Sequence, residues 1–245
     1  MKKNTQIVYV HEEGKEDEIL ELYQKEALSF QKTGFLIGTK PLKHASILIY
    51  RGSIITEEKK YPSDPRYINS FHNNIDYSFL SRYYPVIADL TIETFFVNQL
   101  DESVTEALQK KKWKKAFIKR DRKALEHVEE GKSVWPKTTF EEMNLLYNKF
   151  EIPGKFCIRK YIDPNIIEKE ERYWVLNGNI YHRHNKIPDV VREAAKRLNK
   201  LGSSYYTIDA TPDFVVEVNP GESSDRHAVN SAELFASWFK KEFLK

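Results

Sequence analysis

The sequence of 245 residues lacks several features that would place it in a specialised class of protein. It has a single cysteine, which excludes an internal disulfide and favours a reducing compartment. No apolar run reaches the roughly 18 residues that a membrane-spanning helix needs. The basic start is followed by only a short apolar segment, so no signal peptide is predicted. We expect a soluble cytoplasmic protein with no membrane partner.

A strong excess of either charge is also missing. Lys and Arg number 39 against 36 Asp and Glu, which gives a net charge of +3. A dedicated nucleic-acid binder would be markedly basic, so nucleic acid is not expected as a partner. The lysine cluster Lys110–Lys115 could contact RNA, but a solvated helix face is the favoured interpretation. A hydrophobic content of 40% is enough for a packed core.

The most informative segment is a predicted hairpin near the C-terminus. Alternate side chains of a strand share a face, so Glu217 and Asn219 project together while Val216 and Val218 point into a core. A turn through residues 210–213 would bring Asp209 beside Glu217. Such hard oxygen ligands suit Mg²⁺. Taken alone, the segment is more typical of the solvent-facing edge of a hairpin, and that interpretation is favoured on this motif by itself.

Two lysines lie at the end of the predicted strand Ala116–Lys119 and just beyond it. Lys119 ends that strand and Lys123 comes four residues later, so both could neutralise a phosphate chain. Lysines at strand ends also commonly meet only solvent.

Arg159 lies within the apolar run Phe156–Ile162. A buried guanidinium needs a partner. A phosphate and a structural salt bridge to Glu217 or Asp209 are equally favoured.

The remaining nucleophilic and metal-binding residue types form no recognisable site. Cys157 has no His and Asn placed as partners, so it is interpreted as a small core residue. His182 and His184 have a spacing like that of zinc ligands, but no further Cys or His cluster accompanies them. They are expected at the surface or beside a substrate.

Periodicity and turn residues predict a small α/β unit followed by a longer mixed region. The predicted strands are Ile7–Val10, Gly34–Gly38, Ser46–Arg51, Ala116–Lys119, Lys155–Ile162, Arg172–Leu176, Ile180–His182 and the two arms of the Asp209 hairpin. The predicted helices are Glu16–Phe30, Ile75–Val86 with Pro85 interfering, Glu102–Lys115, Phe140–Phe150, Val190–Leu201 and Ala232–Phe243.

This arrangement resembles the ATP-grasp superfamily, and more closely its R2K branch, over about residues 45 to 225. The branch is marked by two lysines and one arginine, which Lys119, Lys123 and Arg159 match. Further segments match at Ile49–Gly52 (Y-R-G), Tyr67–Ser70 (N-S), Tyr84–Pro85 (Y-P) and Glu170–Gly178 (E-x-R hairpin). The most specific matches are Asp209, Glu217 and Asn219.

The sequence departs from the pattern of the family at two positions. Arg120 and Lys160 stand where acidic residues are usual. Because two acids precede Arg172, either Glu170 or Glu171 could occupy the position of the family's glutamate.

The resemblance implies an α+β protein with an α/β N-terminal part and an ATP-grasp fold, in which two α+β lobes enclose the nucleotide. It places an N-terminal domain at residues 1–100 and the ATP-grasp domain at 101–245, with lobes at about 101–160 and 161–245. The implied cofactors are ATP and Mg²⁺, with Mn²⁺ as an alternative. The implied activity is an ATP-dependent ligase that activates a carboxylate as an acylphosphate and joins it to an amine. The substrate would be an amino acid, a peptide or a macromolecule.

The resemblance also implies a role for each matched residue. The metal ligands would be Asp209, Glu217 and Asn219, and the phosphate chain would be bound by Lys119 and Lys123. The transferred phosphoryl group or the substrate carboxylate would be bound by Arg159 and Arg172. The remaining contacts with the nucleotide would come from Lys160, Tyr161, Ile162 and Glu170. The loop Gly221–Asp225 would shape the acceptor side. His182, His184 or Glu222 would be available to deprotonate the acceptor.

Two other functions stay open at this stage. One is a nucleotide-binding module without turnover, and the other is an RNA-associated modifier that uses the lysine cluster. The intact set of three metal ligands favours catalysis, because nucleotide binding alone tolerates the loss of one ligand.

Overall fold

The computed structural model describes residues 4–10, 19, 21–52, 55, 57–122, 129, 131–151, 154–226 and 230–244. Within these residues the strands are β1 (Thr5–Val10), β2 (Leu36–Gly38), β3 (Ile47–Gly52), β4 (Thr94–Val97), β5 (Ala116–Arg120), β6 (Val134–Trp135), β7 (Phe156–Lys160), β8 (Glu171–Leu176), β9 (Asn179–Tyr181), β10 (Tyr205–Ala210) and β11 (Val215–Pro220). The helices are α1 (Glu21–Thr33), α2 (Phe71–Ser78), α3 (Leu80–Ile87), α4 (Glu102–Lys110), α5 (Phe140–Lys149), α6 (Pro164–Ile167), α7 (Asp189–Leu198) and α8 (Ala232–Phe243).

The strands form three sheets. The first is parallel, in the order β2-β1-β3, and α1 connects β1 to β2. The second has the order β4-β7-β5-β6, and the third has the order β11-β10-β8-β9, both antiparallel. Parallel strands need a crossover such as α1, whereas short turns suffice for the antiparallel hairpins β8–β9 and β10–β11 of the third sheet.

The second sheet buries one face and leaves the other for function. Its apolar side chains, including Ile118 and Ile158, pack against α4 and α5. Alternation along β5 and β7 therefore places Lys119 and Arg159 on the opposite face, which meets the third sheet at β11. The polar positions of these strands thus lie where the second sheet contacts the third.

The third sheet has an entirely apolar face and a divided face. Tyr173, Val175, Tyr206, Ile208 and Val218 are buried on one side beneath α2, α3 and α7. On the other side, one end carries aromatic and aliphatic residues that pack against α1 and α8 of the N-terminal region. The other end carries charged and amide side chains. The alternation predicted for the Asp209 hairpin corresponds to this difference between the two faces of the sheet.

Most predicted elements are confirmed, and the differences have local causes. The predicted helix Ile75–Val86 is two helices, because Ser70 caps α2 and the chain becomes extended at Phe79 before α3 begins. Pro85 lies inside α3, which ends two residues later. Strands β4 and β6 are too short to show periodicity and were not predicted. The start of the predicted helix Glu16–Phe30 lies outside the described residues.

The predicted division at residue 100 stays a prediction. Strand β4 precedes that position, yet it pairs with β7 of the second sheet. None of the helices in the described residues is long and apolar enough to span a membrane.

Gly221 is required at the end of β11 because a side chain there would collide with a buried ring. A Cβ atom at this position would lie 2.2 Å from Cδ2 of Tyr205. We predict that Gly221→Ala lowers the free energy of unfolding in urea by about 1–3 kcal/mol through overpacking. Gly38→Ala is the matched control, since its Cβ would lie no closer than 3.0 Å to any neighbour, the nearest being the side-chain amide of Gln6. Equal losses in the two variants would contradict this packing argument.

Candidate active site

The three predicted metal ligands lie together on β10 and β11. Asp209 and Glu217 are directly opposite each other in the antiparallel register. The amide nitrogen of Asn219 lies 3.1 Å from Asp209 Oδ2 and 3.4 Å from Glu217 Oε2, so it bridges the two carboxylates. In the described part of the chain, no three His, Cys, Asp or Glu side chains form a metal site by themselves. The set therefore depends on Asn219 for its third oxygen ligand.

This donor set fits Mg²⁺. Two carboxylates and one amide supply hard oxygens and leave other coordination positions for water and phosphate oxygens. Opposed carboxylates on neighbouring strands repel each other unless a positive group lies near them. The bridging amide dipole and two neighbouring cations meet that need here.

Lys119 reaches Glu217 from the second sheet. Its Nζ lies 2.5 Å from Glu217 Oε1, and the lysine side chain is buried. Burial alone would raise the pKa of Glu217, but the charges of Lys119 and Arg159 hold that pKa below its usual value. Glu217 is therefore ionised at neutral pH and available as a ligand.

Arg172 holds the other carboxylate. It pairs with Asp209 across β8 and β10, and its Nε and Nη2 each lie 2.7 Å from an Asp209 oxygen. Its Nη1 lies 2.7 Å from Asp225 Oδ1, in the loop that follows β11. Arg172 thus connects a predicted metal ligand to the loop predicted to face the acceptor.

Arg159 bonds to backbone rather than to a carboxylate. Its Nη2 donates to the carbonyl of Val216 at 2.8 Å, and its Nε has no partner among the described residues. The side chain is buried. The predicted salt bridge to Glu217 or Asp209 is not formed. An unpaired buried guanidinium N–H beside the carboxylates can donate to a phosphate oxygen, the alternative left open by the sequence.

The structure distinguishes the two acids before Arg172. Burial and the nearby charges of Asp209 and Glu217 raise the pKa of Glu170 to about 7. Glu171 instead lies 3.3 Å from Arg183 and 3.6 Å from the ring of His182. Glu170 therefore experiences the charges of Asp209 and Glu217, whereas Glu171 is paired with Arg183. Which of the two contacts the nucleotide stays a prediction.

Only part of the predicted adenine-binding segment has free backbone groups. The N–H of Lys160 donates to the carbonyl of Glu93 at 2.9 Å, so it cannot serve adenine as predicted. Tyr161 and Ile162 make no backbone hydrogen bonds with other described residues. The ammonium group of Lys115 lies 5.3 Å from the centre of the Tyr161 ring.

The other candidate residues either have structural roles or fall outside the described part of the chain. Lys123 lies outside the described residues. Arg120 packs over the ring of Phe156 at 3.6 Å, so it is structural. Cys157 is fully buried, and burial raises the pKa of its thiol, which confirms it as a core residue.

The two histidines have different surroundings. His182 is buried against Tyr173, with ring centres 4.7 Å apart, so it does not lie at the surface, and a place beside a substrate stays a prediction. Burial lowers the pKa of His182, and His184 remains exposed.

Glu222 is a fully buried carboxyl group that the metal site does not use. Its Oε1 accepts from the amide of Asn69 at 2.7 Å and from the hydroxyl of Tyr61 at 3.4 Å. Its Oε2 has no partner among the described residues. Burial raises the pKa of Glu222 to about 7. The roles of Asn69 and Arg51 in supporting this loop were missed, although the Y-R-G and N-S segments pointed to both residues.

We predict that Glu222→Gln changes the pH dependence of stability. Because the folded-state pKa lies above the ordinary value, the stability that Glu222 contributes falls as pH rises from about 4.5 to about 7. At about 1.4 kcal/mol per pKa unit, Glu222→Gln should gain about 2 kcal/mol over the wild type between pH 5 and pH 8 in urea unfolding. Glu58→Gln, at an exposed carboxylate, is the control. A gain that does not depend on pH would contradict the prediction.

Comparison with known proteins identifies a family. Residues 89–237 match the family described as "ATP-grasp domain, R2K clade family 3". No curated protein matches the sequence.

Similar solved structures share the fold at low sequence identity. The D-cycloserine synthetase DcsG has a TM-score of 0.65 and 13% identity, with 98% of this chain and 100% of that chain covered. A Chryseobacterium gregarium RiPP-associated ATP-grasp ligase, in complex with ADP and a leader and core peptide, has a TM-score of 0.62 and 11% identity, with 98% and 96% covered. The macrocyclase MdnC from Microcystis aeruginosa MRC, bound with precursor peptide MdnA, has a TM-score of 0.57 and 12% identity, with 96% and 98% covered.

These findings confirm the predicted fold class and family. The family match spans more than half of the chain and includes every proposed metal ligand. The protein belongs to the R2K clade of the ATP-grasp superfamily.

Proposed function

We propose that the protein is an ATP-dependent ligase that activates a carboxylate as an acylphosphate and joins it to an amine or a similar nucleophile. The observation that carries the proposal is the convergence of Asp209, Glu217 and Asn219 on adjacent strands, with Lys119 and Arg172 on the two carboxylates. Nucleotide binding without turnover would not need the complete set.

The proposed chemistry requires positioning and charge neutralisation more than covalent help. An oxygen of the substrate carboxylate attacks the γ-phosphorus of ATP, the bond from that phosphorus to the β,γ-bridging oxygen breaks, and ADP leaves. The amine then attacks the acyl carbon, inorganic phosphate leaves, and the nitrogen loses a proton. The chain must therefore hold two anionic reactants close together and exclude water.

Asp209, Glu217 and Asn219 would hold Mg²⁺, and Mn²⁺ would serve as a substitute with the same ligands. When bound, the metal ion neutralises phosphate oxygens and orients them. The cations that now lie on the two carboxylates would then be available to other anions. The side chain of Lys119 would then move so that its ammonium group pairs with the phosphate chain instead of Glu217. A compact point charge can pair with either anion.

The arginines would serve the transferred group and the substrate. Arg159 has an unpaired buried N–H on the face of the second sheet that meets β11, where it can donate to the phosphoryl oxygens. Arg172 has a guanidinium that can bind a carboxylate or phosphate through two parallel hydrogen bonds. Tyr161 and Ile162 would bind adenine through their free backbone groups. Glu170 would contact the nucleotide from its position near Asp209 and Glu217.

We propose a peptide or an amino-acid-like compound as the substrate. Similar structures named as macrocyclase and RiPP-associated ligase are bound to a precursor peptide or to leader and core peptides, whereas DcsG is a synthetase of the small molecule D-cycloserine. The cytoplasmic location remains part of the proposal. The identity of the acceptor is the main question for experiment.

The first test is ATP consumption with a panel of amino acids and peptides in the presence of Mg²⁺. We predict release of ADP and phosphate with a subset of the panel, and a loss of about 100-fold or more in Glu217→Gln with an unchanged circular dichroism spectrum. Glu171→Gln is the control, because Glu171 faces Arg183 rather than the cluster. Turnover that survives in Glu217→Gln would remove the metal assignment. Nucleotide binding without turnover on any substrate would favour a binding module.

The second test concerns Lys119. We predict that Lys119→Ala weakens binding of Mg-ATP by about tenfold or more, because it removes a point charge from the phosphate site. The melting temperature should fall only slightly, since Glu217 is half-buried and can be solvated. Calorimetric titration with the exposed Lys155→Ala as control separates the two effects. Equal nucleotide affinity in both variants would contradict the role of Lys119.

A further inference from the structure

Arg51 is a fully buried charged side chain that lies outside the proposed metal site. It is in β3 of the first sheet, and its Nε and Nη2 donate to the two oxygens of Glu26 at 2.9 and 2.8 Å. The rings of Tyr23, Trp174 and Phe235 surround the guanidinium, with their centres 5.4 to 5.5 Å away. A charge so completely removed from water requires well-formed partners on every side.

The third nitrogen of Arg51 binds the loop that follows β11. Its Nη1 donates to the carbonyl oxygens of Gly221 at 2.5 Å and Ser224 at 2.8 Å. The N–H of the next residue, Gly52, donates to the carbonyl of Glu222 at 2.9 Å. Two consecutive residues of the first sheet therefore fix three backbone carbonyls of this loop.

The far end of the same loop reaches the candidate active site. Asp225 accepts from Arg172 Nη1 at 2.7 Å, and the other two nitrogens of Arg172 bind Asp209. The contacts run without a break from Glu26 through Arg51, the loop 221–225 and Arg172 to Asp209. Apart from the loop backbone, every link is a hydrogen bond with a charged donor, and the Asp225 carboxylate is the one acceptor exposed to solvent.

We propose that Arg51 is a positioning residue for the ligase reaction, which fixes the loop 221–225 and thereby places Asp225 to hold Arg172. This inference rests on the function proposed above. Arginine suits the position because its planar fork reaches a carboxylate and two carbonyls in fixed directions. The ammonium of a lysine cannot span the same partners. Small displacements of a positioned group cost large factors in rate.

Arg66 provides a matched control within the same region. It also binds a carboxylate through two nitrogens, at 2.9 and 2.5 Å from Asp64, and donates to the carbonyls of Leu42 and Ala45 at 2.8 Å. In the described residues it makes no contact with the loop 221–225. Arg66→Lys therefore loosens a similar arginine fork without touching the proposed connection.

The first experiment measures amide hydrogen exchange by NMR and needs no substrate. Arg51→Lys should speed exchange of the amides of Gly52 and Ser224 at least tenfold more than that of Ile208 in β10, because these two amides bond within the loop contacts. Arg66→Lys should instead affect the amide of Leu48, which bonds to the carbonyl of Arg66. Equal acceleration at all amides in Arg51→Lys would show a structural role only and overturn the proposal.

The second experiment measures ADP formation with a substrate that passes the turnover test. Arg51→Lys and Asp225→Asn should each lower kcat by about tenfold or more with little change in KM for ATP. The double variant should be no slower than the slower single variant, because both break one connection. Arg66→Lys and Asp225→Asn should combine additively. Additive losses for Arg51→Lys and Asp225→Asn would overturn the proposal.

Two further points keep the proposal testable. If Arg51→Lys does not fold, Glu26→Gln is used instead. It weakens the hydrogen bonds of the Arg51 guanidinium while keeping the shape of the side chain at position 26, and the amides of Gly52 and Ser224 should again exchange faster. Unchanged exchange of these amides in Glu26→Gln would contradict the proposed role of Arg51. If the wild type shows no turnover, the ligase proposal fails, while the exchange experiment still decides whether Arg51 holds the loop.

Discussion

The site depends on one electrostatic constraint, the need to neutralise two carboxylates that oppose each other on adjacent strands. Asp209 and Glu217 face each other in register, and like charges in that position destabilise a sheet. Arg172 neutralises one and Lys119 the other, while the amide of Asn219 bridges both. Because Lys119 belongs to the second sheet, the same charges join two sheets where the nucleotide is proposed to bind.

The charged end of the third sheet lies against the second sheet, while its other end is covered by the N-terminal region. The aromatic residues at the covered end pack against α1 and α8, and Arg51 extends that contact to the loop after β11. The N-terminal region therefore supports the loop and leaves the carboxylates accessible to the second sheet. A ligand that brings its own cation and anions can replace the internal salt bridges with equivalent ones.

The sequence predicted the parts of this arrangement that depend on local pattern. Period-two alternation placed Glu217 and Asn219 on one face, and the turn between the two strands brought Asp209 opposite Glu217. It could not predict contacts that join distant segments, such as Arg51 to the loop or Lys119 to Glu217, because register between sheets is not encoded in periodicity. The burial of His182 is likewise decided by packing across strands.

The most direct test is a crystal structure with Mn²⁺ and a non-hydrolysable ATP analogue, with anomalous scattering used to locate the metal ion. The account predicts an anomalous peak in contact with oxygens of Asp209, Glu217 and Asn219, with the Nζ of Lys119 moved from Glu217 to the phosphate chain. A metal ion bound elsewhere, with the Lys119–Glu217 pair intact, would contradict it.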